Sequence, residues 1–292
     1  MKAAPFEYIR PPSIEAALAA LAADDEARIV AGGQTLVPMM AMRLARPSVL
    51  VDIAHIPGLA GIDDQGADIR IGAMTRQIEL ERSALVAQKL PLLAAAMPWI
   101  GHLATRARGT VGGSVANADP AAEIPLVLTA LGGTIHWQGI NGTGQTPARA
   151  FFTGPMMTAL GEQTLLTAVS VPVWQGAHIG VSLHEVSQRR SDFAYVSAAA
   201  QVQLDAQGVC QRATVTIGGA CPAPVWLEAA SEGLTGKVIT GDMLRDILTP
   251  DIEALEIMSD GHASPAYRRR NSLALARRAL LEAVAKAQAV KP

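Results

Sequence analysis

The chain has 292 residues, half of them hydrophobic and only 17% charged, with a formal net charge of −2. That length allows two or three subdomains with sizeable cores, and the balanced charge gives no electrostatic case for nucleic acid or an anionic membrane as partner. Two cysteines, Cys210 and Cys221, without a CxxC pair or a histidine cluster, supply neither a zinc site nor the four ligands of an iron–sulfur cluster; they read as buried thiols.

In chain order, residues 6–12 read as an extended strand halted by proline. Ser13 then reads as the N-cap of a helix over 14–23, with Ile14, Ala17, Leu18 and Leu21 at helical spacing. A strand over 28–31 feeds the run Ala31-Gly32-Gly33-Gln34-Thr35-Leu36-Val37-Pro38. A glycine pair reaches backbone angles closed to other residues and lets amide N–H groups approach an anion such as phosphate. The competing reading is a strand-to-helix turn that binds nothing. Met39, Met40 and Met42, beside Leu36 and Leu44, read as core filling rather than as a soft-metal site. A short buried strand over 49–53 ends in the Pro57-Gly58 turn.

Further on, 68–72 alternates as a strand, 74–80 leads into helical sequence, and 84–97 is rich in Ala and Leu up to Pro98. A second glycine pair follows in Gly109-Thr110-Val111-Gly112-Gly113-Ser114, with Asn117, Asp119, Pro120 and Glu123 close behind. Two such loops together suit a diphosphate, yet neither has the GxGxxG or GxxxxGK[ST] spacing of the usual nucleotide fingerprints. The stretch 126–131 reads as a helix turn and 134–138 as a strand, and the glycine-rich 139–144 reads as a hairpin around Asn141-Gly142 rather than a phosphate loop. Strand 164–173 is followed by alternating segments at 181–186, 195–204 and 213–218, the pattern of an antiparallel sheet. A final helix is predicted over 272–288, with the last few residues fraying. Arg268, Arg269, Arg270, Arg277 and Arg278 lack an aromatic stacking platform and read as a solvated helix face or protein interface. No apolar run reaches the roughly 18 residues of a membrane span, and the first residues have no signal-peptide core, so a cytoplasmic chain is expected.

The pairing of AGGQTLVPMM (31–40) with RARGTVGGSVANADPAAEIP (106–125), followed in order by Ser191-Asp192-Phe193-Ala194 and Tyr267-Arg268-Arg269, resembles the FAD-binding medium subunit of the molybdenum hydroxylases. That family includes the medium chains of carbon monoxide dehydrogenase, xanthine dehydrogenase and N-heteroaromatic dehydrogenases. The resemblance implies an α+β fold of the FAD-binding PCMH (vanillyl-alcohol oxidase) type. Two α/β subdomains, at 1–57 and 58–177, would grip FAD, followed at 178–292 by an antiparallel sheet-plus-helix domain of CO dehydrogenase flavoprotein type with three strands.

It also implies that the FAD diphosphate lies between Ile29, Val30, Ala31, Gly32, Gly33, Gln34, Thr35 and Leu36 on one side and Thr110, Val111, Gly112, Gly113 and Ser114 on the other. Backbone amides are expected to supply most contacts, with the hydroxyls of Thr35, Thr110 and Ser114 donating to phosphate oxygens. Asn117 joins the same set. Glu123 stands at an acidic position whose carboxylate accepts from ribityl or ribose hydroxyls; the alternative is an exposed loop acid. Asp119, beside Pro120, reads as fixing a turn. Ile100 is implied to pack on the cofactor and Leu166 to bring backbone to the isoalloxazine, although each reads equally well as core. His184 corresponds to a position near the flavin that is lysine in some relatives, where a cation stabilises reduced flavin. A histidine does this only when protonated, and packing is the alternative. Asp192 and Phe193 fall in a segment whose aromatic lies over the flavin ring.

The implied function is an electron-transfer flavoprotein subunit with no catalytic acid or base of its own. A large molybdopterin-binding subunit and a small subunit with two [2Fe-2S] clusters are the expected partners, in a dimer of heterotrimers, with an external small-molecule electron acceptor. Two competitors stand beside it: a stand-alone FAD-dependent oxidoreductase, for which His102 and His184 are the nearby proton-handling candidates, and a non-catalytic nucleotide-binding or assembly protein. The substrate and the acceptor stay open.

Overall fold

Val49–Asp52 lies between Glu7–Ile9 and Arg28–Val30 in a three-stranded parallel sheet of the computed structural model, which describes residues 2–290. The helix Ile14–Ala23 joins the first two strands, and Ser13 caps it by accepting from the Ala16 N–H at 3.2 Å. Ala17 and Leu18 seat this helix on Val51 and Ile53, and Met74 and Leu165 close the same core from the neighbouring sheet. The helix Leu36–Ala41 is only six residues long and offers the core a single face. Met40 therefore is buried, whereas Met42 and Leu44 stand in solvent, contrary to the core-filling expectation.

The second sheet has five strands in the order Ile62–Asp64, Asp68–Gly72, Thr164–Pro172, Thr134–Gly139, Gly142–Pro147, and every neighbouring pair is antiparallel. The hairpin expected at 139–144 is present, with Gly139 paired to Gly142 across Ile140-Asn141. Thr164–Pro172 carries a register shift between Leu166 and Ala168, a bulge that bends the strand. The apolar stretch 84–97 is not one helix. It breaks at Leu90 into Ala84–Lys89 and Pro91–Ala96, because Pro91 has no N–H to continue the ladder.

Glu123–Leu131 is buried along nearly its whole length, since strands of two sheets, Thr164–Pro172 and Cys210–Gly218, pack against it. The third sheet, Ile179–Val186, Val196–Leu204, Cys210–Gly218 and Val225–Trp226, is antiparallel. It has one strand more than expected; Val225–Trp226 is too short to show alternation. The helix Pro265–Ala289 covers this sheet's other face. It begins ahead of the predicted 272 because the Ser264 side chain accepts from the Tyr267 N–H and Pro265 opens the first turn. The expected fraying falls partly on positions 291 and 292, outside the described residues.

Of the arginines read as a solvated face, Arg270, Arg277 and Arg278 are exposed as expected, whereas Arg268 and Arg269 are internal clamps. Arg268 is 3% exposed and donates to the carbonyls of Tyr195 and Gly219 and to the Asp260 carboxylate. Arg269 donates to the carbonyls of Ile252, Glu253 and Leu255, closing the C-terminal end of the helix Gly241–Ala254. Cys210 and Cys221 are buried and unpaired, and burial pushes their thiols up to about 11 and about 12. Among the described residues no helix is long and apolar enough to cross a membrane.

Candidate cofactor-binding site

A cleft of about 760 Å³ is lined by residues from the regions of the three larger sheets, from Arg28 through Leu166 to Phe193. That is within the range of small-molecule and cofactor sites, roughly 300–1,000 Å³. Its two walls meet at the glycine loops. A Cβ added to Gly32 would lie 2.5 Å from the Arg108 carbonyl oxygen, and one added to Gly113 would lie 3.7 Å from the Ala31 Cβ. Gly33 sits at φ 70°, a conformation that side chains with a Cβ resist.

The two loops use their amides differently. In the first, the N–H groups of Gly32, Gly33, Gln34 and Thr35 have no acceptor among the described residues, and Thr35 makes no cap bond with its hydroxyl. Gly32 and Gly33 are half-buried and Gln34 and Thr35 exposed, so this row of unpartnered amides is open to an anion or another acceptor. In the second loop most amides are already engaged, and only the Thr110 N–H has no acceptor among the described residues. Val111 N–H donates to the Thr75 carbonyl at 3.0 Å, Gly112 to Ala73 at 2.8 Å, Ser114 to Thr110 at 3.1 Å, and Gly113 to the Thr110 Oγ1 at 3.1 Å. Free backbone amides are therefore concentrated in the first loop, with one, Thr110 N–H, in the second. The second loop offers the Ser114 hydroxyl and the O–H of Thr110, whose oxygen is occupied as the N-cap of Val111–Asn117.

Ile29, Ala31, Gly32, Gly33, Gln34, Thr35, Leu36, Ile100, Thr110, Gly112, Gly113, Ser114, Asn117, Glu123, Leu166, Asp192 and Phe193 all line the cleft. Val30, Val111 and His184 do not. Val30 is the last residue of its strand, and Val111 turns into the core. Ile100 is held in place by Arg106, which donates to the carbonyls of Ile100 and Gly101 at 2.9 and 3.1 Å while pairing with both oxygens of Glu81. Gln77 lines the cleft as well. Its N–H donates to the Gly109 carbonyl, its Oε1 is buried without a partner, and nothing in the sequence marked it.

His184 lies on the sheet face that meets the terminal helix, with Nε2 2.7 Å from a Glu282 carboxylate oxygen. Burial draws its pKa below the ordinary imidazole value against the pull of Glu282, so the neutral ring donates to Glu282 and supplies no cation to the cleft. His102 does line the cleft. Phe193 is 73% exposed at the cleft rim, free to lie over a planar ring. The preceding Ser191 takes φ 71°.

Glu123 is not an exposed loop acid. It opens the buried helix Glu123–Leu131, and burial, with Asp119 nearby, pushes its carboxyl up to about 7. Glu185, beside His184 in sequence, is pushed up to about 9 by burial and by Glu123. Asp119 accepts from the Ala121 N–H at 2.9 Å and so fixes the turn as expected, and burial raises its pKa too. A smaller cavity of about 350 Å³ adjoins this end and shares Asp119, Asp192 and Phe193 with the cleft.

Unpartnered amides beside a positive-φ glycine, facing hydroxyls at the near end, fit a diphosphate; a carboxylate acceptor and an exposed aromatic at the far end fit the hydroxyls and ring of a flavin. The family described as the FAD binding domain in molybdopterin dehydrogenase matches residues 4–174, and the CO dehydrogenase flavoprotein C-terminal domain matches residues 182–283. The chain is similar to the 6-hydroxypseudooxynicotine dehydrogenase complex subunit alpha of Paenarthrobacter nicotinovorans, at 36% identity over 100% of this chain and 98% of that one. It is also similar to the carbon monoxide dehydrogenase medium chain of Afipia carboxidovorans, at 34% identity over 97% of this chain and 98% of that one. The solved carbon monoxide dehydrogenase of Hydrogenophaga pseudoflava superimposes with a TM-score of 0.93 at 32% identity, covering 98% of this chain and 99% of that one. The chain belongs to the family of FAD-binding medium subunits of molybdenum hydroxylases, and it is an oxidoreductase subunit.

Proposed function

We propose that this chain is the electron-transfer subunit of a cytoplasmic molybdenum hydroxylase complex, divided at 1–57, 58–177 and 178–292 as the sequence suggests. It takes electrons from [2Fe-2S] clusters of a small partner subunit and passes them to an external small-molecule acceptor, while a large molybdopterin-binding subunit oxidises the substrate. The assembly is a dimer of heterotrimers. The observation that carries this reading is the single cleft in which the free amides of the first glycine loop face the hydroxyls of the second.

Bound FAD supplies the reversible redox chemistry. The chain's own residues do the rest. The amides of Gly32, Gly33, Gln34 and Thr35 and the hydroxyls of Thr35, Thr110 and Ser114 hold the diphosphate. Ile29, Ala31, Leu36 and Asn117 complete the near wall. Glu123 accepts from cofactor hydroxyls, Ile100 and Leu166 exclude water from its apolar surface, and Phe193 shields the ring with Asp192 beside it. The smaller cavity next to Phe193 supports entry of the acceptor from that side.

The test is to purify the tagged chain from its native host, record its visible spectrum and identify the cofactor released on denaturation. FAD, with iron–sulfur and molybdenum-containing chains co-purifying, is the expected result. FAD without partners would favour a stand-alone flavoenzyme with His102 as its proton-handling group, and no flavin on a folded chain would overturn the cofactor assignment.

A further inference from the structure

Strand Ile179–Val186 sends successive side chains to opposite faces. His184 meets Glu282 of the terminal helix on one face, which places Glu185 on the other. There Glu185 is paired in register with Ser197, and Ser197 with Gly218. A Cβ added to Gly218 would lie 2.6 Å from the Ser197 Oγ, 3.2 Å from the Leu126 Cδ1 and 3.5 Å from the Pro120 carbonyl oxygen. The row Glu185, Ser197, Gly218 therefore runs beneath the turn at Pro120 and the first turns of Glu123–Leu131. Glu185 Oε1 and Ser197 Oγ are both buried without a hydrogen-bond partner.

The charged groups that face Glu185 are all acids. Glu123 lies close enough to disfavour its ionisation, and Asp119 does the same to Glu123. The other elements packed here bring no compensating charge: the neighbouring strand offers Ser197, the next strand Gly218, and the helix Pro91–Ala96 reads PLLAAA. Among the described residues no lysine, arginine or histidine donates to Glu123 or Glu185. Two buried carboxyls without a counter-charge do not both ionise; one proton serves the pair. Position decides which carboxyl keeps it. Glu123 opens a helix, where the N-terminal end of the dipole favours an anion, and its own backbone N–H favours its charged form.

We propose that Glu185 is a positioning residue for the cofactor cleft: it holds the one proton of the buried pair, so that Glu123 stays ionised as the acceptor for a cofactor hydroxyl. This rests on the FAD reading above. When both carboxyls lose their protons, two uncompensated charges face each other at the far end of the cleft, and cofactor affinity falls.

The experiment uses the full chain, wild type and Glu185→Gln, with two readouts. The first is the infrared band of a protonated carboxyl at about pH 8, between the values to which burial raises Glu123 and Glu185, present in the wild type and lost in Glu185→Gln. The second is FAD affinity against pH. The wild type should weaken on the alkaline side, by up to about tenfold per pH unit for one linked proton. Glu185→Gln, which copies the protonated shape, should keep the neutral-pH affinity and lose that alkaline fall. A wild-type chain without the band overturns the proposal, whether or not the variant folds. FAD binding with the same pH profile in both chains also overturns it. A chain that shows the band and its loss but binds no FAD overturns the cofactor reading, and with it the role assigned to Glu123.

Discussion

Gly32 and Arg108 touch backbone to backbone: a Cβ on Gly32 would stand 2.5 Å from the Arg108 carbonyl oxygen and 2.8 Å from the Gly109 Cα. Neither atom belongs to a flexible side chain, so Gly32→Ala must push the two glycine loops apart. Gly33→Val forces a β-branched residue to φ 70°, at a cost of about 1–3 kcal/mol, and brings its Cβ within 3.1 Å of the Val37 Cγ2. Both variants are expected to lose FAD. Cys210→Ala, in the C-terminal core, is expected to keep it. The flavin-to-protein absorbance ratio after desalting checks this, and equal ratios in all three would remove the diphosphate from these loops.

Arg106 holds the Ile100-Gly101 wall of the cleft from behind, with its guanidinium divided between Glu81 and two carbonyl oxygens. Arg106→Met leaves Glu81 and both carbonyls without their donor. Removing one partner of such a largely buried pair costs on the order of 3 kcal/mol, and Arg106→Lys should recover little because an ammonium cannot reproduce the planar fork. Denaturant unfolding of the three chains measures this. A Lys variant as stable as the wild type would show that charge alone, and not the fork, fixes Ile100.

The glycine loops were legible in the sequence because the residue type itself carries the chemistry: paired glycines with hydroxyl residues beside them have few other uses. What could not be read was which loop had amides to spare, since that depends on the carbonyls of Ala73 and Thr75 arriving from another segment. His184 was misplaced for a different reason. On a strand, an error of one residue moves a side chain to the opposite face, and here His184 faces the terminal helix through Glu282. Arg268 was read as solvated because a run of arginines looks alike whether its partners are water or the carbonyls of Tyr195 and Gly219. The strands Ile62–Asp64 and Val225–Trp226 were missed because two or three residues show no period.

Phe193 is the largely exposed aromatic at the cleft rim, so Phe193→Ala should leave stability within about 0.5 kcal/mol of the wild type. Its effect is expected on the cofactor alone. Stacked aromatics quench flavin emission, and the variant loaded with FAD should fluoresce more strongly than the wild type at equal occupancy. Unchanged emission would place Phe193 away from the ring and return it to a surface role.

The buried acids also set how stability depends on pH. Glu123 and Glu185 have carboxyls raised by burial to about 7 and about 9, against an ordinary value of about 4.3 for glutamate in an unfolded chain. A group raised on folding contributes stability that is complete below its unfolded value and is lost as pH rises through the folded one. The native chain then binds more protons than the unfolded chain, so stability falls with rising pH, by at most about 1.4 kcal/mol per pH unit for each proton. Denaturant midpoints of the apo chain should decline from mildly acidic conditions through pH 9, opposite to the trend produced by Asp260, whose carboxyl is held down to about 2 by the amides of His262 and Ala263 and by Arg268. Asp260 contributes stability that is present above its unfolded value and lost only as pH falls through its folded one. The two limbs are separable by mutation: Glu185→Gln should flatten the alkaline decline and leave the acid limb in place, while Asp260→Asn should do the reverse. An alkaline decline that survives Glu185→Gln unchanged would mean that the proton is held elsewhere.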